Sequence, residues 1–71
     1  MIEYKGYTAH IEIDFRDNIL WGRIDEIDDR VTFEGTTPAE VVRAFQEAVD
    51  DYLKLCAELG EEPQQSRRLA A

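Results

Sequence analysis

The chain has 71 residues, of which 16 are acidic and 8 are basic, so its formal net charge is −8. This charge would repel a phosphate backbone from most of the surface, which argues against nucleic acid as the main partner. A basic protein would instead be attracted and steered towards the chain. A domain this short buries only about 60% of the surface that its unfolded chain exposes, so we expect it to gain stability by self-association.

The sequence offers few groups for cross-links, metals or targeting. Cys56 is the only cysteine and His10 the only histidine, so we expect no internal disulfide, no structural zinc site and no cofactor. The opening residues MIEYKGYTAH contain no apolar run of the kind found in signal peptides, and no stretch approaches the roughly 18–20 apolar residues of a membrane span. A lone unpaired cysteine fits a reducing compartment, so we expect a cytoplasmic protein without membrane contact.

The first regular pattern is YTAHIEIDF, residues 7–15, in which apolar and polar side chains alternate. Period two predicts a half-buried strand. The side chains that we expect on its inner face are Tyr7, Ala9, Ile11, Ile13 and Phe15.

A second strand, ILWGRID at residues 19–25, follows after a short polar segment. Asp17 and Asn18 are turn residues, and a two-residue hairpin loop at this point would place Glu12 opposite Arg23 as a favourable cross-strand pair. The same register directs Trp21 away from the apolar face of the hairpin. The segment RVTFEG, residues 30–35, predicts a third and shorter strand.

The clearest helix signal begins after this third strand. Thr37 is expected at the N-cap, Pro38 at the first helical position and Glu40 at the third, which is the pattern of a capping box. An apolar stripe at helical spacing continues to residue 59, and Gly60 is expected to end the helix. A helix of about 23 residues is about 34 Å long and would cover one face of the sheet.

These elements predict an α+β fold with the order β-β-β-α, in which one long C-terminal helix packs on a three-stranded antiparallel sheet. Residues 1–63 form the expected domain, and residues 64–71, after Pro63, are expected to be a flexible tail. Gly22 is expected to let the helix approach the sheet closely. Cys56 falls within the apolar stripe and is expected to be a buried, inert thiol.

Trp21 and a run of acids are the candidates for contact with a partner. A tryptophan beside Ile19 on the uncovered face of a small sheet makes an apolar patch, which is either buried in an interface or simply half exposed. The segment DEIDDR at residues 25–30 lacks the ligand order of a calcium loop, so it is a solvated acidic turn or a patch for a basic partner. The residues expected to face a partner are Trp21, Arg23, Asp25, Glu26, Asp28 and Asp29.

Several motifs in this order resemble the N-terminal domain of the HicB family of antitoxins. They are YKGY, GRI, VTFEG running straight into a capped helix, AVDDYL and ELGEEP, and together they span residues 1–63. The resemblance implies a partial ribonuclease-H-like fold without that enzyme's catalytic acids. It also implies a homodimer or tetramer that neutralises a small basic ribonuclease toxin of the HicA type.

The chain departs from the family pattern after Pro63. Only QQSRRLAA follows, so the DNA-binding domain that these antitoxins commonly carry is not recognised, nor is a further strand that many relatives place after the helix. Operator binding is therefore not carried over from the resemblance. Toxin neutralisation is carried over because it belongs to the part that matches.

We therefore expect a binding protein of a type II toxin–antitoxin system and not an enzyme. The alternative is an oligomeric scaffold domain that has lost its toxin and its DNA-binding partners. A metal-dependent nuclease would need converging carboxylates. Glu12 and Asp14 share a strand face, but Arg16 and Arg23 flank them. His10 is expected to be a surface or interface side chain, since no serine or cysteine nucleophile is placed beside it.

Overall fold

Four antiparallel strands are followed by one helix in the computed structural model, which describes residues 1–63. The expected tail, residues 64–71, lies outside the described residues. Each strand pairs with its neighbour in sequence, so the sheet order is β1-β2-β3-β4. The elements are β1 (Ile2–Tyr4), β2 (Tyr7–Asp14), β3 (Ile19–Ile24), β4 (Thr32–Gly35) and α1 (Pro38–Leu59).

The α+β class is confirmed, but the expected number of strands is wrong, because β1 precedes the three predicted strands. This strand has only 3 residues, too few to show an alternating pattern. It pairs with β2 through a tight turn in which Lys5 has φ 51° and Gly6 has φ 85°. Two successive residues with positive φ are typical of the two-residue hairpin turn that suits strand twist.

The predicted β2–β3 register is wrong by two residues. Asp14 pairs with Ile19, so the loop has four residues rather than two. The Asp14 carboxylate accepts hydrogen bonds from the backbone N–H groups of Arg16 at 2.9 Å and Asp17 at 3.3 Å. These bonds stabilise a wider turn than the sequence suggested.

The corrected register keeps the paired side chains of β2 and β3 on their predicted faces, because a shift of two residues preserves the pleat. Phe15, which was expected on the inner face, instead lies in the loop. It does change the cross-strand partners. Glu12 lies opposite Trp21 and not Arg23, while His10 lies opposite Arg23. The expected Glu12–Arg23 pair is therefore not directly opposed.

Gly22 makes room for an aromatic ring rather than for the helix, which corrects the predicted role. A Cβ atom at Gly22 would lie 2.7 Å from the Phe33 ring and 2.7 Å from the His10 carbonyl oxygen. The Phe33 ring in turn packs against Phe45 of α1, with ring centroids 5.2 Å apart. The close approach of the helix occurs at Gly35, where a Cβ would lie 2.6 Å from the Val41 nitrogen.

Both ends of α1 are capped as the sequence predicts. The Thr37 hydroxyl accepts a hydrogen bond from the Glu40 backbone N–H at 3.1 Å, which satisfies one of the unpaired donors of the first turn. The Glu40 carboxylate accepts hydrogen bonds from the hydroxyl and the backbone N–H of Thr36, one residue before the position expected in a capping box. These bonds lower the pKa of Glu40 below its ordinary value. Gly60, with φ 71°, ends the helix in the left-handed region.

The core lies between the helix and one end of the sheet. Its buried hydrophobic side chains are Tyr7, Ala9, Ile24, Ile27, Phe33, Val41, Phe45, Val49, Tyr52 and Cys56. Burial of Cys56 is thus confirmed. The helix packs chiefly against β4, so it does not cover the whole face as expected. Two side chains near the β2–β3 loop stay largely exposed, Ile13 at 55% and Phe15 at 83%.

One phenol hydroxyl is buried within this core. The Tyr7 side chain is only 1% exposed, and its ring meets the Tyr52 ring edge-on with centroids 5.9 Å apart. Within the described part of the chain, its hydroxyl has no hydrogen-bond partner. Burial raises the pKa of Tyr7 above its ordinary value.

The first turn is tied to the helix by an ion pair. Lys5 Nζ lies 2.8 Å from Asp50 Oδ1, and the Tyr4 hydroxyl donates to Asp50 Oδ2 at 3.2 Å. The hydrogen bond from Lys5 is the main reason that the pKa of Asp50 lies below its ordinary value. The β1–β2 turn is therefore docked onto the middle of α1.

Candidate functional site: the open face and the acidic loop

Trp21 lies on the sheet surface that points away from α1, which we call the open face. Its two cross-strand neighbours are Glu12 on β2 and Glu34 on β4. Directly opposed side chains on adjacent strands have Cβ atoms about 4.5–5.5 Å apart. The indole therefore lies in a row between two carboxylates.

The indole is half exposed on this face. Trp21 is 42% exposed, and the prediction that it points away from the apolar face is confirmed. Beside it lies a shallow depression of about 280 Å³ that Thr32 and Glu34 of the edge strand β4 also line. An amphipathic ring next to a depression and flanked by carboxylates is suited to contact with a basic protein surface, where tryptophan and charge complementarity contribute specificity.

A second group of polar side chains lies further along the open face. Asp25 Oδ2 lies 3.1 Å from His10 Nδ1 and accepts a hydrogen bond from the buried Thr8 hydroxyl, also at 3.1 Å. The Asp25 backbone N–H donates to the Thr8 carbonyl at 2.8 Å, which fixes the position of the carboxylate. Arg23 lies opposite His10. The open face thus carries both charge signs at this end and carboxylates around the indole.

The acidic loop, residues 25–31, is more than a solvated turn. Ile27 inserts into the core and is only 5% exposed. Glu26 has φ 57°, in the left-handed region that non-glycine residues rarely adopt. The Ile24 N–H donates to the Val31 carbonyl at 3.0 Å and closes the loop. With Ile27 buried in the core, Asp25 lies on the open face, whereas Asp28 and Asp29 lie on the side of the helix.

Asp28 and Asp29 lie beside the helix rather than on the open face. Asp29 lines a groove of about 510 Å³ between the start of β4 and the C-terminal half of α1, which we call the helix-end groove. Both aspartates line a smaller adjoining depression, together with Tyr52, Cys56, Glu61 and Glu62.

The structure therefore divides the six predicted partner residues. Trp21, Arg23 and Asp25 lie together on the open face, Glu26 occupies the turn, and Asp28 and Asp29 lie at the helix-end groove. The site prediction omitted Glu12 and Glu34, the two carboxylates that flank the indole. The alternating pattern placed Glu12 on the correct face, but only the true register and the β3–β4 pairing bring both acids next to Trp21.

Within residues 1–63, no three His, Cys, Asp or Glu side chains are grouped so that they could hold a metal ion. The one helix in this range is not long and apolar enough to cross a bilayer.

Comparison with known proteins found no match. No protein-family model, no curated protein and no solved structure matches the chain.

Proposed function

We propose that this protein is a HicB-like antitoxin module that acts in the cytoplasm and neutralises a small basic ribonuclease toxin of the HicA type. The proposal includes the partial ribonuclease-H-like character of the sheet and helix, which the sequence resemblance implies. The module acts by binding and carries out no catalysis. Its neutralisation of the toxin does not require binding to operator DNA.

One observation carries the proposal: a half-exposed tryptophan lies between two carboxylates on the open face. Trp21 is 42% exposed, and Glu12 and Glu34 flank it on the neighbouring strands. Burial of an indole at an interface contributes strongly to affinity. The carboxylates favour a partner with basic side chains and disfavour an acidic one.

The net charge of −8 supports the same kind of partner. Long-range attraction raises the rate at which a basic protein meets an acidic one, and this effect falls as salt is added. We therefore expect association with the toxin to slow markedly with rising ionic strength, while dissociation changes less.

Co-expression with the product of the neighbouring gene tests the proposal. The wild-type chain is expected to rescue growth from a toxic neighbour, and Glu34→Lys is expected to abolish rescue by reversing a charge beside the indole. Glu47→Lys is the matched control, because it makes the same change at an exposed position of α1 and is expected to rescue fully. No rescue by the wild-type chain, or equal rescue by both variants, would count against the proposal.

A second candidate is an oligomeric scaffold without a toxin partner. It is favoured by the exposed apolar side chains at the β2–β3 loop, Ile13 at 55% and Phe15 at 83% exposed, since such groups are often covered in an assembly. The mass of the native complex distinguishes the two. A homo-oligomer alone favours the scaffold, whereas a complex that contains a second, basic chain favours the antitoxin.

A further inference from the structure

The helix-end groove is separate from the open face and has an apolar floor. Its volume is about 510 Å³, within the range of about 300–1,000 Å³ that is typical of ligand-binding clefts. Two leucines of α1 in this floor remain open to solvent, Leu55 at 52% and Leu59 at 62% exposed. The apolar residues that line the groove are Val31, Ala48, Tyr52, Leu55, Cys56 and Leu59.

The rim of the groove is acidic. Among residues 1–63, the part of the chain that the structure describes, the groove and its adjoining depression are lined by one base, Arg30, and by the acids Asp28, Asp29, Asp51, Glu61 and Glu62. Among these described residues the carboxylates outnumber the guanidinium, so this part of the surface is negative. A ligand that brings positive charge is therefore favoured here.

The C-terminal end of α1 adds to this negative potential. A helix carries a partial negative charge at its C-terminus, which basic side chains in the last turn commonly offset. The last turn of α1, which lies within the described residues, contains no basic side chain. Glu58, Glu61 and Glu62 are instead found close to this end in sequence.

We propose that the helix-end groove binds a cationic amphipathic segment of a partner protein. Its apolar side chains would rest on the leucine floor, and its lysines or arginines would lie against the acidic rim and the negative end of the helix. A second copy of this chain is a poorer fit, because the chain has twice as many acids as bases and a net charge of −8. The proposal does not depend on the partner being a ribonuclease.

Binding of a synthetic peptide to the full-length chain tests this inference. The probe is a fluorescently labelled peptide with leucines at every third or fourth position and lysines between them, so that a helix would present one apolar and one basic face. The control peptide carries glutamates in place of the lysines. Fluorescence anisotropy is expected to show salt-sensitive binding of the lysine peptide and no binding of the glutamate peptide.

Variants of the chain locate the binding surface. Leu55→Gln combined with Leu59→Gln removes the exposed apolar side chains of the groove, and because glutamine is a good helix former it should leave α1 intact. This double variant is expected to weaken binding at least about tenfold. Asp29→Asn combined with Glu61→Gln is expected to weaken binding and flatten its salt dependence. Phe15→Ser is the matched control, because it removes an exposed apolar side chain elsewhere and should leave the affinity unchanged. Circular dichroism verifies that each variant is folded.

Three results would overturn the inference. Equal affinity for the lysine and glutamate peptides would show that charge does not contribute to binding. Binding that survives the leucine replacements and is lost in Trp21→Ala would assign the peptide to the open face. A concentration-dependent dimer that the leucine replacements abolish in the absence of peptide would assign the groove to a second copy of the chain.

Discussion

At the scale of single residues, the buried hydroxyl of Tyr7 leads to a simple prediction. A buried polar group without a partner costs desolvation energy that no hydrogen bond returns, and within the described residues Tyr7 is in this state. We expect Tyr7→Phe to leave the free energy of unfolding unchanged or to raise it by about 1 kcal/mol. Urea denaturation measures this difference, and a clear loss of stability would contradict it.

Gly22 leads to the opposite prediction at the same scale. A Cβ atom there would lie 2.7 Å from both the Phe33 ring and the His10 carbonyl oxygen, so a neighbour must move. We expect Gly22→Ala to lower the free energy of unfolding by about 1–3 kcal/mol, as other overpacked sites do. Thr32→Ala, at an exposed position of the adjacent strand, is the control and should cost less than about 0.5 kcal/mol. Similar losses in both variants would refute the steric explanation.

At the scale of elements, the ion pair between the β1–β2 turn and α1 predicts a dependence on pH. The Asp50 pKa is lowered mainly by the hydrogen bond from Lys5, so the ionised carboxylate favours the folded state. This contribution is present above the pKa of Asp50 in the unfolded chain and is lost as the pH falls through its pKa in the folded chain. Lys5→Met should therefore raise the pKa of Asp50 towards its ordinary value.

Nuclear magnetic resonance titration of the Asp50 carboxyl carbon measures that shift. The stability difference between the wild-type chain and Lys5→Met should be small, because the pair is exposed, and should disappear in acid. Lys54→Met is the control, since it removes the only other lysine of the chain. An unchanged Asp50 pKa in Lys5→Met would show that Lys5 is not the cause.

The elements also show which parts of the fold can be inferred from sequence. Both ends of α1 can be predicted from the sequence, because Thr37 and Gly60 cap backbone groups that lie within one helical turn of them. The register of β2 and β3 was missed because it depends on the Asp14 carboxylate, which reaches forward to two N–H groups and widens the loop. β1 is too short for periodicity, and its only signal was the Lys5–Gly6 turn.

The candidate site was harder to infer than the fold for a related reason. A strand pattern places Trp21 on a face, but it does not say which residues on the neighbouring strands lie beside it. The separation of Asp25 from Asp28 and Asp29 depends on Ile27, whose side chain enters the core. Ile27 is an apolar residue within an acidic loop, and this pattern could have predicted that its side chain attaches the loop to the core.

At the scale of the whole molecule, Trp21→Ala separates binding from folding. The indole is 42% exposed on the open face, so its removal should cost the isolated chain little stability while weakening self-association or partner binding. Size-exclusion chromatography and melting curves together check this expectation. A large fall in melting temperature with an unchanged assembly would show that the indole stabilises the chain itself and would contradict the assignment.

The order of the sheet has a consequence for how quickly the chain reaches its native state. Every strand pairs with its neighbour along the chain, so each pairing closes a short stretch of backbone. Pairings between neighbouring strands keep the entropic cost of loop closure low, whereas the contacts of the β1–β2 turn with α1 join residues far apart in sequence. Mixed domains of this kind fold more slowly than helical bundles and faster than all-β domains. Rapid-mixing experiments on dilute protein should therefore find refolding faster than is usual for an all-β domain of similar length.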